Sequence, residues 1–208
     1  MVEMNAPPSL VLASASPRRS SLLRQLGISF DVRVADLDED MLIASMGDGV
    51  RSARQKVLLL AEAKAEMVAS ARPKRLVLAA DTTVVLNSGC DFGKPRDDSE
   101  AAAMLRSLSG EVHRVITGVA LCEGRRDRRA TDAVMTEVRM RDLSSEIIER
   151  YVASGEPRDK AGAYAIQGLG ALLVRGISGS YTNVVGLPLE ILPDLFERLG
   201  YSVWDYVL

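Results

Sequence analysis

The segment from Leu76 to Leu86 is a nearly continuous apolar run that is interrupted only by Asp81, Thr82 and Thr83. The run predicts a strand buried in a sheet, with Asp81 at the end of that strand. The rest of the chain alternates between patterns typical of strands and patterns typical of helices. Such interleaving predicts an α/β fold with a mixed sheet.

The other elements are predicted from hydrophobic periodicity and turn residues. Short apolar or alternating stretches predict strands at residues 10–13, 30–34, 112–122, 133–140 and 172–175. Apolar residues at helical spacing predict helices at residues 17–26, 50–69, 101–108 and 144–154, and from Pro188 onward. The charged stretch 123–129 is interpreted as a solvated hairpin tip. In the helix from Ser144, four residues are expected to face the core: Ile147, Ile148, Tyr151 and Val152.

Charge limits the class of ligand. Lys and Arg total 26, Asp and Glu total 28, and the formal net charge is -2. A protein that coats long nucleic acids needs a broad basic face, so this balance disfavours that class. A near-neutral total still permits a small anion in a local basic pocket.

Histidine and cysteine usage limits metal chemistry and location. His113, in a strand pattern and interpreted as structural, is the only histidine, so any metal must be held by oxygen ligands. Oxygen ligands favour Mg²⁺ or Mn²⁺ over zinc. Cys90 and Cys122 cannot build a disulfide framework, which indicates a reducing compartment. With no signal-peptide pattern and no run of ~20 apolar residues, we expect a cytoplasmic protein without membrane contact.

Arg18 and Arg19 lie in the first turn of a predicted helix, after Ser16 as N-cap and Pro17 as first helical residue. Cations are disfavoured there by ~0.3–1 kcal/mol each because the helix dipole is positive at this end. The free backbone N–H groups already attract anions, and two guanidinium groups would make a receptor for a polyphosphate. Ser14 adds a hydroxyl donor. The alternative is two surface arginines on an ordinary helix.

Asp81 is the only charged residue of the run from Leu76 to Leu86. A carboxylate at the end of a buried strand costs several kcal/mol unless it is paired, hydrogen-bonded or metal-bound. That setting is typical of a catalytic acid or base. The alternative, a turn cap formed with Thr82 and Thr83, is disfavoured because β-branched residues follow directly.

Further polar residues leave two interpretations open. Lys64 falls on the apolar stripe of its helix, so it either reaches the rim, which sequence alone favours, or binds a buried anion. Asp38 and Glu39 form either a solvated loop or a carboxylate pair for an oxygen-ligand cation. Lys94 fits a turn or a phosphate contact, and Gln167 is uncommitted. Together, these residues indicate phosphate-ester or anhydride chemistry.

The chain resembles the Maf-type nucleoside triphosphate pyrophosphatases from about Leu10 to Leu199. The order of the short motifs SPRR, ADT, GKP, DKAGAY and GLPL is specific as a set, although none is specific alone. The matching stretches are LASASPRRSSLLRQLGISF, LAEAKA, LAADTTVVL, GKPRD, MLRSLSGEVHRVITGVAL, GEPRDKAGAYAIQGLGALLV and ISGSYTNVVGLPL.

The resemblance implies a single Maf-like domain over residues 1–208 that consists of two lobes with a central cleft. It also implies an elongated mixed sheet flanked by helices, as in the Maf and ITPase-like folds. Residues 1–8 are expected to be a flexible extension. A homodimer is also implied.

The resemblance also implies roles for individual residues. Asp81 is expected to accept a proton from the attacking water, and Glu39 to bind the divalent metal. The expected substrate contacts are Ser14, Arg18, Arg19, Lys64, Thr82, Lys94 and Gln167. Of these, Arg18, Thr82 and Gln167 match positions linked to base choice. Ala165 departs from the glycine of many relatives, which would narrow the pocket slightly.

The implied activity is hydrolysis of dTTP and UTP, or of modified pyrimidine nucleotides, to the monophosphate and pyrophosphate. The stretch AGAYAIQG resembles the branch that prefers these nucleotides, whereas the 7-methyl-GTP branch usually has a glutamate in place of this glutamine. The alternatives are the same reaction on 7-methyl-GTP and a non-catalytic regulator of septum formation or cell division.

Overall fold

The computed structural model describes residues 7–45, 52–124 and 128–207. Within these residues the strands are β1 (Leu10–Leu12), β2 (Phe30–Val32), β3 (Leu76–Leu86), β4 (Asp91–Phe92), β5 (Val112–Glu123), β6 (Arg128–Met140) and β7 (Val174–Ser178). The α-helices are α1 (Pro17–Gln25), α2 (Glu39–Ser45), α3 (Ala53–Ser70), α4 (Asp98–Leu108), α5 (Ser145–Ala153), α6 (Tyr181–Val185) and α7 (Leu192–Arg198).

All of these strands belong to one mixed sheet with the order β2-β1-β3-β5-β6-β7, and β4 pairs with β3. β1 runs parallel to both β2 and β3, whereas the β3–β4 and β6–β7 pairs are antiparallel. Helices separate many of the strands along the chain. The predicted α/β class with a mixed sheet flanked by helices is therefore confirmed.

The chain divides into two compact units. The first comprises Met1–Asp81, Gly118–Ala133 and Leu189–Leu208, and the second comprises Thr82–Thr117 and Val134–Pro188. Strands β3, β5 and β6 each contribute residues to both units.

The core of the first unit lies between α3 and the sheet. Ser52 caps α3 by accepting a hydrogen bond from Gln55 N, and residues 50 and 51 of the predicted helix lie outside the described residues. Small side chains on α3 allow a close approach to the strands. Gly118 on β5 is a point of close approach, because a Cβ there would lie 2.6 Å from the backbone carbonyl of Val57. The packed residues include Val11, Ala13, Ala61, Ala65, Val68, Ala69, Val77, Ala79, Ala120 and Cys122.

The core of the second unit is formed by α4 and α5 packed against strand residues. Ser144 caps α5 by accepting from Ile147 N, as the sequence predicted for the start of this helix. Ile148 and Tyr151 are buried as expected, but Ile147 is 43% exposed, so its predicted inward position was wrong. The buried cluster comprises Val84, Ala101, Met104, Leu105, Leu108, Val115, Val138, Met140, Ile148, Tyr151, Ala163, Tyr164 and Leu173.

Several predicted element boundaries were wrong. Strand β6 begins at Arg128 rather than at Ala133, so the last two residues of the predicted hairpin tip belong to the strand. The last helix begins at Leu192 rather than at Pro188, and Pro193 lies in its first turn. A helix from Pro188 would have held Pro193 in its interior, where proline removes a hydrogen bond and clashes with the preceding turn. Strand β7 begins at Val174 because Gly168–Leu173 forms a 3-10 helix.

The acidic stretch that sequence favoured as a loop begins α2. The Asp38 carboxylate accepts a hydrogen bond from Met41 N at 2.8 Å, and Glu39 and Asp40 occupy the first turn. Carboxylates at this end of a helix interact favourably with its dipole and its free N–H groups. The charges of this stretch therefore mark a helix start.

The two ends of the described chain meet in the first unit, where the Tyr206 hydroxyl donates to the Pro8 carbonyl at 2.9 Å. Most of the predicted N-terminal extension, residues 1–6, lies outside the described residues, as do residues 125–127 of the predicted hairpin tip. No helix in the described part of the chain combines the length and apolar character needed to cross a membrane.

Candidate active site

The first group of polar residues follows the carboxyl end of β1. Leu12 pairs with Leu78 of β3, and Ala13 N donates to the Leu78 carbonyl at 2.8 Å. Because β1 and β3 run parallel, Ser14 follows the end of β1 in the same direction in which β3 continues to Asp81. Carboxyl ends of parallel strands are the usual location of ligand sites in open α/β sheets.

Ser14 connects this strand end to α1. Its buried Oγ accepts hydrogen bonds from Ser16 N at 3.2 Å and from Arg19 Nη1 at 3.1 Å. Ser16 occupies the predicted N-cap position and Pro17 the first turn, but the Ser16 side chain makes no capping bond. With its lone pairs engaged, the Ser14 hydroxyl can serve as a donor to a further group.

Arg19 lies among charges of both signs. Burial lowers the pKa of Arg19, the charge of Asp81 raises it, that of Arg18 lowers it and that of Glu39 raises it, and the pKa ends below its ordinary value. A guanidinium stays protonated under such a shift, so the group remains a cation. These interactions bring Asp81, Arg18 and Glu39 into the electrostatic surroundings of Arg19.

Lys64 lies between two carboxylates. Its Nζ is 2.7 Å from Asp81 Oδ1 and 2.8 Å from Glu39 Oε1. The side chains of Lys64 and Asp81 are each 14% exposed, and that of Glu39 is 46% exposed. Sequence left two positions possible for the Lys64 ammonium, at the rim of the packed surface or in contact with a buried anion. The structure therefore has the second.

Sequence had suggested that Asp81 lies at the end of a strand. It lies instead in the middle of β3, because the strand continues to Leu86. This continuation excludes a turn cap, and the Lys64 ammonium provides the pairing that a largely buried carboxylate needs. The first unit thus gathers three cations and two carboxylates, with one net positive charge, together with the Ser14 hydroxyl. Such a cluster suits a polyphosphate better than the total charge of the chain suggests.

Thr82, the first residue of the second unit, belongs to a chain of hydroxyl groups. Its Oγ1 lies 2.9 Å from Thr117 Oγ1, and Thr117 Oγ1 donates to the Asn183 carbonyl at 3.0 Å. Because this bond uses the single hydroxyl hydrogen of Thr117, Thr82 acts as the donor to Thr117. The buried Asn183 amide in turn donates to the Val115 carbonyl at 3.0 Å and to Thr136 Oγ1 at 2.9 Å.

Lys94 is exposed and lies in the turn between β4 and α4. The turn is attached through Gly93, whose carbonyl accepts a hydrogen bond from Gly162 N at 3.0 Å. Gly162 has a φ of 70° and lies against Val84, where a Cβ would come within 2.9 Å of a methyl carbon. Glycine is the residue that takes this conformation without strain.

Gln167 is half-buried and directly precedes the 3-10 helix Gly168–Leu173 in the second unit. Thr82, Lys94 and Gln167 all belong to this unit, whereas Ser14, Arg18, Arg19, Lys64, Asp81 and Glu39 belong to the first. Within the first unit, hydrogen bonds, ion pairs and charge interactions connect all six residues.

The sequence model of the family described as Maf-like protein matches residues 9–199. The chain belongs to the Maf family.

Relatives within the Maf family match almost the whole chain. A dTTP/UTP pyrophosphatase of Myxococcus xanthus (strain DK1622) is 54% identical over 198 residues, which cover 95% of this chain and 96% of that protein. A dTTP/UTP pyrophosphatase of Moorella thermoacetica is 48% identical, with 95% and 98% covered. One of Pelotomaculum thermopropionicum is 46% identical, with 93% and 98% covered.

Two of the motif stretches typical of the Maf family meet in this fold. The bond from Gly162 N to the Gly93 carbonyl joins DKAGAY to GKP, so the segment before Gln167 and the turn with Lys94 are attached to each other. This bond could not be predicted from sequence, since periodicity carries no information on backbone bonds between distant segments.

Glu156 was missed by sequence analysis. Its carboxylate accepts hydrogen bonds from the Tyr151 hydroxyl and from the backbone N–H groups of Leu169 and Gly170, at 2.9, 3.0 and 2.9 Å. Gly155 and Pro157 on either side indicated only the end of a helix. A glutamate between a glycine and a proline, in a position where a surface turn is expected, is the sequence signal that could have indicated this residue.

The carboxylates of this Maf-family chain fit a divalent cation held partly by its substrate. Among the described residues no three His, Cys, Asp or Glu side chains group together as a metal site. Mg²⁺ is usually bound by one or two carboxylates, with water and substrate phosphates as its other ligands. Asp81 and Glu39, which both contact the Lys64 ammonium, supply such a pair and already attract positive charge.

Proposed function

We propose that this chain hydrolyses dTTP and UTP to the nucleoside monophosphate and pyrophosphate. The observation that carries the proposal is the Lys64 ammonium between Asp81 and Glu39, with Arg19 in the same charged cluster. Cations for phosphate and carboxylates for proton transfer lie together in this cluster. The names of the relatives, dTTP/UTP pyrophosphatase, supply the nucleotide.

In the proposed reaction, Arg18, Arg19 and Ser14 hold phosphate oxygens at the start of α1. Asp81 accepts a proton from a water whose oxygen attacks the α-phosphorus. A bond forms between that oxygen and phosphorus, the bond from the α-phosphorus to the bridging oxygen breaks, and pyrophosphate leaves. General-base assistance of this type contributes about 10²–10⁴-fold to rate, and the cations oppose the developing negative charge.

Glu39 and Asp81 are the proposed holders of a divalent cation, Mg²⁺ or Mn²⁺, which when bound would neutralise phosphate charge. Lys64 keeps the two carboxylates close together and would share the phosphate charge. Thr82, Lys94 and Gln167 keep their proposed role as substrate contacts, with Thr82 and Gln167 contributing to base choice. A homodimer and a cytoplasmic location are further parts of the proposal.

The decisive experiment is a substrate panel. Purified protein is incubated with dTTP, UTP, CTP or 7-methyl-GTP with Mg²⁺, and pyrophosphate release is measured. We expect dTTP and UTP to be hydrolysed with the highest kcat/KM, and chelation of the cation to stop turnover. Preference for 7-methyl-GTP would refute the proposed substrate, and no release from any nucleotide would refute the proposed activity.

Asp81→Asn tests the proposed proton acceptor. The amide keeps the shape of the side chain and can still accept from Lys64, but it cannot take a proton at neutral pH, so kcat should fall by about 10²-fold or more. Nucleotide binding, measured by calorimetry, should change little. Asp98→Asn, on an exposed carboxylate paired with Arg158, is the matched control and should keep full activity. Full activity of Asp81→Asn would remove this residue from the reaction.

A further inference from the structure

Glu156 is bonded to the segment that follows Gln167. Its Oε1 accepts from the Tyr151 hydroxyl and from Gly170 N, each at 2.9 Å, and its Oε2 accepts from Leu169 N at 3.0 Å. All of these are charge-assisted bonds, which are about twice as strong as bonds between neutral groups. One carboxylate therefore fixes two consecutive backbone amides that lie 13 and 14 residues away along the chain.

Tyr151 extends the same network to the segment before Gln167. Its hydroxyl donates to Glu156 and accepts a hydrogen bond from Ala165 N at 3.3 Å. The backbone is thus attached two residues before Gln167, at Ala165, and two and three residues after it, at Leu169 and Gly170.

The segment 165–170 is tightly closed around these bonds. Gly168 has a φ of 64°, and a Cβ there would lie 2.7 Å from Glu156 Oε2. A Cβ on Gly170 would lie 2.2 Å from the Ala165 carbonyl oxygen and 2.7 Å from the Tyr151 hydroxyl. The glycines therefore allow the backbone to come within hydrogen-bond distance of the two side chains.

The electrostatics of Glu156 agree with an ionised acceptor. Burial acts to raise the pKa of Glu156, but the hydrogen bonds from Gly170, Tyr151 and Leu169 and the charge of Lys160 outweigh it, so the pKa lies below its ordinary value. The carboxylate keeps both oxygens as acceptors at neutral pH.

We propose that Glu156 and Tyr151 are positioning residues that hold the segment 165–170 and thereby fix the Gln167 side chain for contact with the nucleobase. An amide discriminates between bases only if it is held within ~0.5 Å of its productive position. Gln167 lies on a segment of irregular backbone, so that precision comes from side chains bonded to its neighbours. The inference rests on the proposed function for the presence of a base.

Amide hydrogen exchange in the free protein tests the attachment itself. In Glu156→Gln an NH₂ group replaces one acceptor oxygen, so at least one of three donors loses its partner. We expect at least one of the amides of Leu169 and Gly170 to exchange about tenfold faster or more. Tyr151→Phe should accelerate Ala165. Glu146→Gln, which removes an exposed ion pair with Arg150 on the same helix as Tyr151, is the control and should leave these amides unchanged.

Selectivity tests the effect on Gln167. The ratio of kcat/KM for dTTP to that for CTP should fall about tenfold in Glu156→Gln and Tyr151→Phe and stay at the wild-type value in Glu146→Gln. A purely structural defect lowers the active fraction equally for both nucleotides, so it cancels in this ratio. If one variant fails to fold, the other still gives both measurements.

The outcomes separate this inference from the proposed function. A wild type that hydrolyses none of the nucleotides refutes the proposed function and with it the contact to a base, whatever the exchange rates. An active wild type whose variants keep the dTTP to CTP ratio, or whose amides at Leu169 and Gly170 exchange at the wild-type rate in Glu156→Gln, overturns the inference and leaves the proposed function standing.

Discussion

Lys64 lies on the apolar side of α3, next to Ala61 and Ala65, yet its ammonium group contacts two carboxylates. Positions on such a stripe normally hold apolar residues, because the stripe packs against the sheet. The long methylene stem of lysine can lie along the packed surface while its charge reaches Asp81. A lysine therefore occupies this apolar position because its ammonium group contacts the carboxylates.

Lys64→Met should reduce both stability and turnover. Methionine keeps the apolar stem, so the change isolates the charge and leaves Asp81 largely buried without its partner. Removing one member of a buried ion pair costs about 3–5 kcal/mol, and somewhat less for this pair because 14% of each side chain is still exposed. We therefore expect the free energy of unfolding, from urea denaturation, to fall by about 2 kcal/mol.

Arg150→Met is the matched control for this charge removal. Arg150 pairs with Glu146 at 2.6 Å, but the two side chains are 79% and 70% exposed. Exposed pairs contribute about 0–1 kcal/mol, so this variant should unfold close to the wild type and keep its activity. Equal effects of the two substitutions would show that the Lys64 pair contributes no more than a surface contact.

Arg19→Ala should weaken substrate binding more than it slows the chemical step. The variant loses the guanidinium that bonds to Ser14 and lies in the field of Asp81 and Glu39. A hydrogen bond to a charged group is worth about 1.5–3 kcal/mol, so KM for dTTP should rise about tenfold or more. Arg33→Ala, on an exposed arginine whose guanidinium donates to the Val32 carbonyl, provides the comparison. An unchanged KM in Arg19→Ala would contradict a phosphate contact at this residue.

At the scale of elements, hydrophobic periodicity was sufficient where an element is long and packed on one side. β3 covers the apolar run 76–86, although Asp81 was expected at a strand end, and α3 differs from its predicted range by only a few residues. The short elements α2, β4 and α6 were not predicted. Their residues carry too few apolar positions for a period to show, and capping and pairing with neighbouring segments decide their conformation instead.

The residues of the candidate site also divide into those that sequence alone indicated and those that it did not. Arg18, Arg19, Asp81 and Lys64 stood out from sequence because each contradicts the pattern of its own element. Lys94 and Gln167 lie in turns, where a polar residue contradicts nothing, so only the resemblance to a family indicated them. Glu156 was not singled out because two of its three hydrogen-bond donors are backbone N–H groups, which every residue except proline carries.

The close approach of α3 to the sheet gives a test of packing at the element scale. Gly118→Ala would bring a Cβ within 2.6 Å of the Val57 backbone, which cannot move without displacing α3. Overpacking in a core costs about 1–3 kcal/mol, so the unfolding free energy should fall by about 2 kcal/mol or more.

Gly176→Ala is the control for this substitution. Gly176 lies in β7 of the same sheet, and a Cβ there would meet nothing within 4 Å. Alanine in a strand is about 0.5–1 kcal/mol more favourable than glycine, so this variant should be as stable as the wild type or slightly more stable. If Gly118→Ala behaved in the same way, the helix and the sheet would have to be further apart than the structure has them.

At the scale of the whole molecule, each of the two units is assembled from separate stretches of the chain. Three strands supply residues to both, and on β3 the boundary falls between Asp81 and Thr82. The six candidate site residues of the first unit all lie within its stretch Met1–Asp81, and the pairing of β1 with β3 aligns the segments that carry Ser14 and Asp81. Periodicity predicts which strands exist, but their order in the sheet depends on pairings that a single sequence does not contain.

The pH dependence of the free energy of unfolding is a property of the whole molecule, and its single histidine contributes to it. His113 is 0% exposed, shares a hydrogen bond of 2.7 Å between its Nε2 and the Tyr164 hydroxyl, and has a buried Nδ1 without a hydrogen-bond partner among the described residues. Burial lowers the pKa of His113 from 6.5 to about 4. A proton therefore binds more readily to the unfolded chain than to the folded one.

This difference in pKa fixes the direction of the effect. The stability contributed by neutral His113 is fully present above pH 6.5, falls as the pH is lowered, and is lost completely only below about pH 4. Between pH 7.5 and pH 4.5 the free energy of unfolding should decrease by about 2–3 kcal/mol from this group alone. His113→Gln retains a hydrogen-bonding side chain without this titration, so its unfolding free energy should decrease by that much less over the same range. Because the chain has one histidine, its imidazole NMR signals can be assigned without ambiguity. A midpoint near 6.5 in the folded protein, or equal pH slopes for wild type and variant, would contradict the buried neutral imidazole.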